Sequence, residues 1–130
     1  MGVIVEIIEP CGFIWSAQRL KRVGMDYMNW AKILRHKSWD HFQTKCSARL
    51  VLLTTKAITT HLNFVFESDD ILLCGSESSG APEFVHEAAD AQVRVPIVNE
   101  ARSLNITVAA AIVLCEALRQ TNQFPNDRSR

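Results

Sequence analysis

Glu77 is the lone acid of "GSESSGAP" (75–82), set among serines between Gly75 and Gly80. Glycine allows backbone angles and close approaches that side chains forbid, so this loop can turn its amides toward a ligand. The same composition also makes a solvated turn with helix-capping serines ahead of Pro82. A Walker phosphate loop is excluded because no Gly-Lys-Ser/Thr follows, and the G-x-x-x-x-G spacing is not a dinucleotide fingerprint. A second set lies in "ARSLNIT" (101–107), where Arg102, Ser103 and Asn105 precede a long apolar stretch. Ser103 or Asn105 suits a helix N-cap, and polar groups at a helix N-terminus can also orient a hydroxyl or bind an anion. A third is "GFIWSAQRLKRVGMDY" (12–27), in which Arg19, Lys21 and Arg22 are interleaved with Phe13, Trp15 and Tyr27. That pattern fits phosphate contacts beside stackable rings, and equally a helix with a solvated basic face.

The elements that must position these residues follow from apolar patterning. "VIVEII" (3–8), "AKILRH" (31–36), "ARLVLLTT" (48–55), "DILLCG" (70–75) and "AQVRVPIV" (91–98) are short, apolar and β-branched, and read as buried strands. Between them "SAQRLKRVGMDYMNW" (16–30), "SWDHFQTK" (38–45) and "APEFVHEAADA" (81–91) have helical character, with Pro82 as a first-turn proline. "NITVAAAIVLCEALRQT" (105–121) is apolar on nearly every side, which predicts a helix buried by more than one neighbour. Strands alternating with helices predict one α/β domain over residues 1–130 with a mostly parallel sheet and a frayed tail at "FPNDRSR". Ligands of such sheets bind beyond the strand carboxyl ends. "LTTKA" (53–57), "GSESSGAP" and "VPIVNEARSLNIT" (95–107) all leave strand ends and are expected to converge on one site.

Composition bounds the function classes. With 48% hydrophobic and 22% charged residues the chain is an ordinary globular protein. Net charge is zero, yet residues 1–56 hold nine Lys/Arg against four Asp/Glu and residues 57–130 five against ten. A basic first part admits an anionic partner such as RNA. Cys11, Cys46, Cys74 and Cys115 form no CxxC pair and have no histidine at zinc spacing, so buried free thiols in the cytoplasm are expected, with no metal. His36, His41, His61 and His86 share no spacing and read as surface or boundary residues. "MGVIVEIIEP" has neither a basic leader region nor a myristoylation signal, and no run approaches a membrane span.

Taken in order, "IIEPCGFIW", "RLKRVGMDY", "LLTTKA", "GSESSGAP", "RVPIV" and "ARSLNIT" followed by an apolar helix resemble the SpoU branch of the SPOUT RNA methyltransferases. The resemblance is strongest to the small single-domain members that methylate the ribose of the tRNA wobble nucleotide, and runs from about Val5 to Pro125. It implies helices on both faces of the sheet, a C-terminal deep trefoil knot, a homodimer, and S-adenosylmethionine held by the knot loops. Leu53, Thr54, Gly75, Glu77, Val95, Ile97, Ser103 and Leu104 would hold the cofactor, largely through backbone groups at 53, 75, 95 and 103. Glu77, Ser103 and Asn105 would serve catalysis by positioning the ribose 2′-hydroxyl, and Arg19, Lys21, Arg22 and Tyr27 would contact tRNA. Two departures are mild: Ser76 stands where the family usually has Pro, and Ala81 where it has Leu. The third is larger, because the family's first strand and helix, carrying an Asn and a catalytic Arg, are expected before "VIVEII", where Met1 begins the chain. The alternative function is therefore a truncated, catalytically impaired dimer that binds cofactor or RNA.

Overall fold

Leu50–Leu53 is an unbroken apolar run, and all four residues are buried. A strand covered on both faces needs apolar side chains at every position, which is the pattern of a central parallel strand. In the computed structural model, which describes residues 5–8, 33–75, 80–98 and 105–124, this run forms β3. It pairs in parallel with β4 (Ile71–Cys74) on one side and with β5 (Ala91–Val93) on the other, in the order β4-β3-β5. The register sets Leu53 opposite both Cys74 and Val93, so all three strands end level at one carboxyl edge. β5 is shorter than expected because Arg94 continues with another partner: its amide donates to the Thr59 carbonyl (3.0 Å) and its carbonyl accepts from His61 (2.9 Å).

This sheet belongs to a unit of residues 48–124. The link from β3 to β4 contains a 3-10 turn, His61–Asn63, and the link from β4 to β5 contains helix α2, Glu83–Ala88. Pro82 sits at the N-cap of α2, one position before the expected first turn, with an extended backbone. The long helix, α3 (Ile106–Thr121), packs Ala109 and Val113 into the core with Val51, Leu53, Phe66 and Val93. Ile106, Ala110 and Ala117 flank that face, and the alanines allow the helix close to the sheet. Val108 and Ile112 point the other way and are exposed. One apolar face of α3 is therefore packed within this unit against several neighbours, strands and the His61–Asn63 turn among them, while a second face carries the exposed Val108 and Ile112. Asn122 ends the helix in a left-handed conformation.

The amino edge of the same sheet is stapled. Arg49 donates to both carboxylate oxygens of Asp70 (2.8 and 2.6 Å) and to the Val65 carbonyl (3.0 Å), with its guanidinium over the Phe64 ring. Asp70 also accepts from the Glu67 amide at 2.9 Å. A bidentate pair of this kind fixes orientation as well as adding attraction.

The second unit comprises residues 1–47 with 125–130. In it β1 (Val5–Ile8) pairs in parallel with β2 (Ile33–His36). Helix α1 (Trp39–Lys45) follows, capped by Ser38, whose hydroxyl accepts from the His41 amide at 3.1 Å. Phe42 is 2% exposed, with the His36 ring edge-on to it at 5.2 Å. The expected helix over 16–30 and most of the tail lie outside the described residues. So does Cys11, and the remaining cysteines correct the expectation of buried thiols: Cys46 is half-buried, while Cys74 and Cys115 are exposed. Both exposed cysteines follow from position, Cys74 being the last residue of β4 and Cys115 lying near the open face of α3.

Candidate active site at the carboxyl edge

Three chain segments leave the level edge formed by Leu53, Cys74 and Val93. The first begins at Thr54, whose amide donates to the Val93 carbonyl at 2.9 Å and thus extends the β3–β5 ladder by one residue. It turns at once, the Ala57 amide donating back to the Thr54 carbonyl (3.2 Å). The second begins at Gly75. A Cβ there would run into the backbone of Gly80 and Ala81, so the loop that opens at Gly75 closes back upon it. Gly80, by contrast, has open space around it and a left-handed φ of 68°. The third begins at Arg94, bridged to Thr60 of the first segment. Val95 packs against the core, Ile97 is half-buried, and Val98 is exposed.

The segments are also joined through side chains. His86 of α2 is 9% exposed, and its Nε2 lies 3.0 Å from the Thr54 hydroxyl. The same hydroxyl oxygen accepts from the Lys56 amide at 3.2 Å, and His86 Nδ1 lies 3.2 Å from the Pro82 carbonyl. Lys56 and Glu83 form a loose exposed ion pair at 3.9 Å. The edge therefore brings Leu53, Thr54, Gly75 and the start of the Val95–Val98 segment into one neighbourhood.

Whether such an edge is a binding site is a question of relationship as well as geometry. The profile of the SpoU rRNA Methylase family matches residues 1–115. This chain belongs to that family. It is 50% identical over 123 residues to the tRNA (cytidine(34)-2'-O)-methyltransferase of Beijerinckia indica subsp. indica, covering 92% of this chain and 77% of that protein. The protein of the same name from Escherichia coli K12 is 36% identical over 122 residues, covering 92% and 78%. A solved structure concerned with the 2-OH methylation of C/U34 on tRNA superposes with a TM-score of 0.82 at 32% identity, over 92% of this chain and 79% of that one. The chain has an α/β fold with parallel strands and helices, in common with that solved structure.

Within this SpoU chain, Asn105 lies at the N-cap of α3, its Oδ1 accepting from Thr107 (2.9 Å) and Val108 (3.4 Å). The cap occupies the oxygen, so any contact with a substrate falls to Nδ2. Glu77, Ser103 and Leu104 lie outside the described residues, as do Arg19, Lys21, Arg22 and Tyr27. Cys74 is exposed by surface area, yet crowding around its thiol pushes the pKa up to about 11, which leaves no activated thiolate at this edge. Among the described residues, no group of three or more His, Cys, Asp or Glu side chains could hold a metal ion. No described helix is long and apolar enough to cross a membrane.

The histidines depart from expectation. His36, His61 and His86 are buried, where surface or boundary positions were expected. His36 meets Phe42 and His41, His61 is tied to Arg94 through its amide, and His86 bridges two loops. A signal for His86 exists only in part: it follows the buried Val85 and stands four residues after Pro82, one helical turn, but nothing local points to Thr54.

Proposed function

We propose that this chain transfers a methyl group from S-adenosylmethionine to a ribose 2′-hydroxyl of tRNA, at the wobble nucleotide. The observation that carries the reading is 50% identity, along 92% of the chain, to a protein named for that reaction. The carboxyl edge supports the cofactor. An adenosine needs backbone donors and acceptors beside apolar surface; the edge has main chain at Leu53, Thr54 and Gly75, with Val95 packed against the same core as Leu53 and Ile97 half-buried two residues on. Those groups, with Glu77, Ser103 and Leu104, would hold the cofactor, which supplies an electrophilic methyl when bound.

The protein's own contribution is placement. Glu77, Ser103 and Asn105 would hold the ribose hydroxyl in line with the methyl and manage its proton, since near-attack geometry and proton removal are what this transfer requires. Arg19, Lys21, Arg22 and Tyr27 would contact the tRNA through phosphate pairing and stacking. The chain would act in the cytoplasm as a homodimer with a C-terminal trefoil knot; the open apolar face of α3 at Val108 and Ile112 supports a second copy.

The test is methyl transfer from labelled S-adenosylmethionine to tRNA, followed by mapping of the modified nucleotide. Label at the wobble ribose is expected, and label on a base or at another position would overturn the reading. A binding module without catalysis predicts uptake of S-adenosylhomocysteine in calorimetry with no transfer at any protein concentration.

A further inference from the structure

We infer that His86 is a positioning residue, a polar clamp that sets the first loop of the carboxyl edge for ligand binding by orienting the Thr54 hydroxyl. The assignment rests on the cofactor reading above and adds to it a residue on α2. Proton bookkeeping gives the clamp a direction. The Pro82 carbonyl can only accept, so a hydrogen bond at 3.2 Å requires the proton on His86 Nδ1. In the neutral ring Nε2 is then an acceptor, and the Thr54 hydroxyl, 3.0 Å away, must donate to it. That leaves a lone pair of the hydroxyl oxygen facing the Lys56 amide, which donates to it at 3.2 Å. Every donor in the chain Lys56, Thr54, His86, Pro82 points the same way.

The clamp matters because of where its ends sit. Thr54 is the first residue beyond the central strand, with its amide already fixed on Val93. Pro82 closes the segment that returns over Gly75. His86 thus couples the first and second loops across 32 residues of sequence, and the Gln92 side chain donates to the His86 carbonyl at 3.3 Å, tying the end of α2 to β5. The ring shares the Pro82 carbonyl with two helix amides, Val85 (3.0 Å) and His86 itself (3.3 Å), so the Nδ1 arm anchors the ring while the Nε2 arm sets the loop. Buried polar groups that complete each other in this way fix one arrangement.

His86→Phe keeps the ring volume and removes both arms. His86→Asn keeps a donor for Pro82 and cannot reach Thr54, and His86→Gln places a side-chain amide near the position of Nε2. Calorimetry with S-adenosylhomocysteine and amide hydrogen exchange at Lys56 in the cofactor-free protein are the readouts. H86F, H86N and T54V are each expected to weaken binding about three- to ten-fold, the effect of one hydrogen bond. The H86N/T54V double variant should be no weaker than either single variant, Lys56 exchange should quicken in H86F and H86N, and H86Q should restore both. Should H86F fail to fold, H86N supplies the same comparison. Independent, multiplying effects in the double variant, or unchanged Lys56 exchange, would overturn the clamp while leaving the cofactor reading intact. Absence of S-adenosylhomocysteine binding by the unaltered protein would overturn both.

Discussion

Replacing Gly75 with alanine would force a Cβ into the backbone of Gly80 and Ala81. Overpacking against main chain costs about 1–3 kcal/mol. Gly80→Ala meets no atom and bears only the left-handed φ, about 1 kcal/mol. Chemical denaturation should therefore rank Gly75→Ala as more damaging than Gly80→Ala, and S-adenosylhomocysteine affinity should fall with it. Asn105 offers a different separation. Asn105→Ala removes the cap of α3 and is expected to cost about 1 kcal/mol of stability, whereas Asn105→Asp keeps an acceptor for Thr107 and Val108. If Nδ2 acts on the ribose, Asn105→Asp should retain stability and lose methyl transfer, and full activity in that variant would assign Asn105 to capping alone. Asn105 was legible because a cap is read from its immediate neighbours. His86 was not, since its partner lies 32 residues away.

At the scale of elements, β3 and the Arg49–Asp70 staple hold the sheet whose far edge carries the proposed site. Burial alone would raise the Asp70 pKa, but the Arg49 hydrogen bonds, the Glu67 amide and the Arg49 charge outweigh it and hold the carboxyl below its ordinary value of 3.8. A carboxyl depressed in the folded state stabilises the fold at pH above its unfolded value, and that contribution is lost as pH falls through the folded value. The loss therefore belongs to the range below about pH 4. With a side chain only 7% exposed, Asp70→Asn should lower stability at neutral pH by about 1–3 kcal/mol and flatten the acid limb of a stability–pH curve. An unchanged acid limb would show that the staple does not govern it. Leu52→Ala, at a fully buried position of β3, should cost about 2–5 kcal/mol in denaturant titration. The strands themselves were legible because parallel burial demands apolar residues on both faces, a pattern visible in "LVLL" and "ILLC". The staple was not, because its two ends immediately precede different strands and meet only through register.

For the whole molecule, the open face of α3 sets the expected assembly. Val108→Glu with Ile112→Glu places charge on exposed positions and leaves Ala109 and Val113 in the core. Sedimentation should give twice the chain mass for the unaltered protein and the single-chain mass for the double variant; a monomer in both would remove the homodimer from the proposal. The amino-acid sequence by itself determined the order of the described strands and helices, their parallel α/β class, Asn105 as one of two candidate caps of α3, and membership of the SpoU family. Each of these rests on periodicity, on neighbours within a turn, or on motifs in order along the chain. Only the tertiary structure decided that Leu53, Cys74 and Val93 end level, that the segment at Gly75 closes on Ala81, and that α3 keeps one apolar face open. It also placed a buried histidine between two loops. These features depend on strand register and on contacts between residues distant in sequence, which no local pattern of residue types encodes.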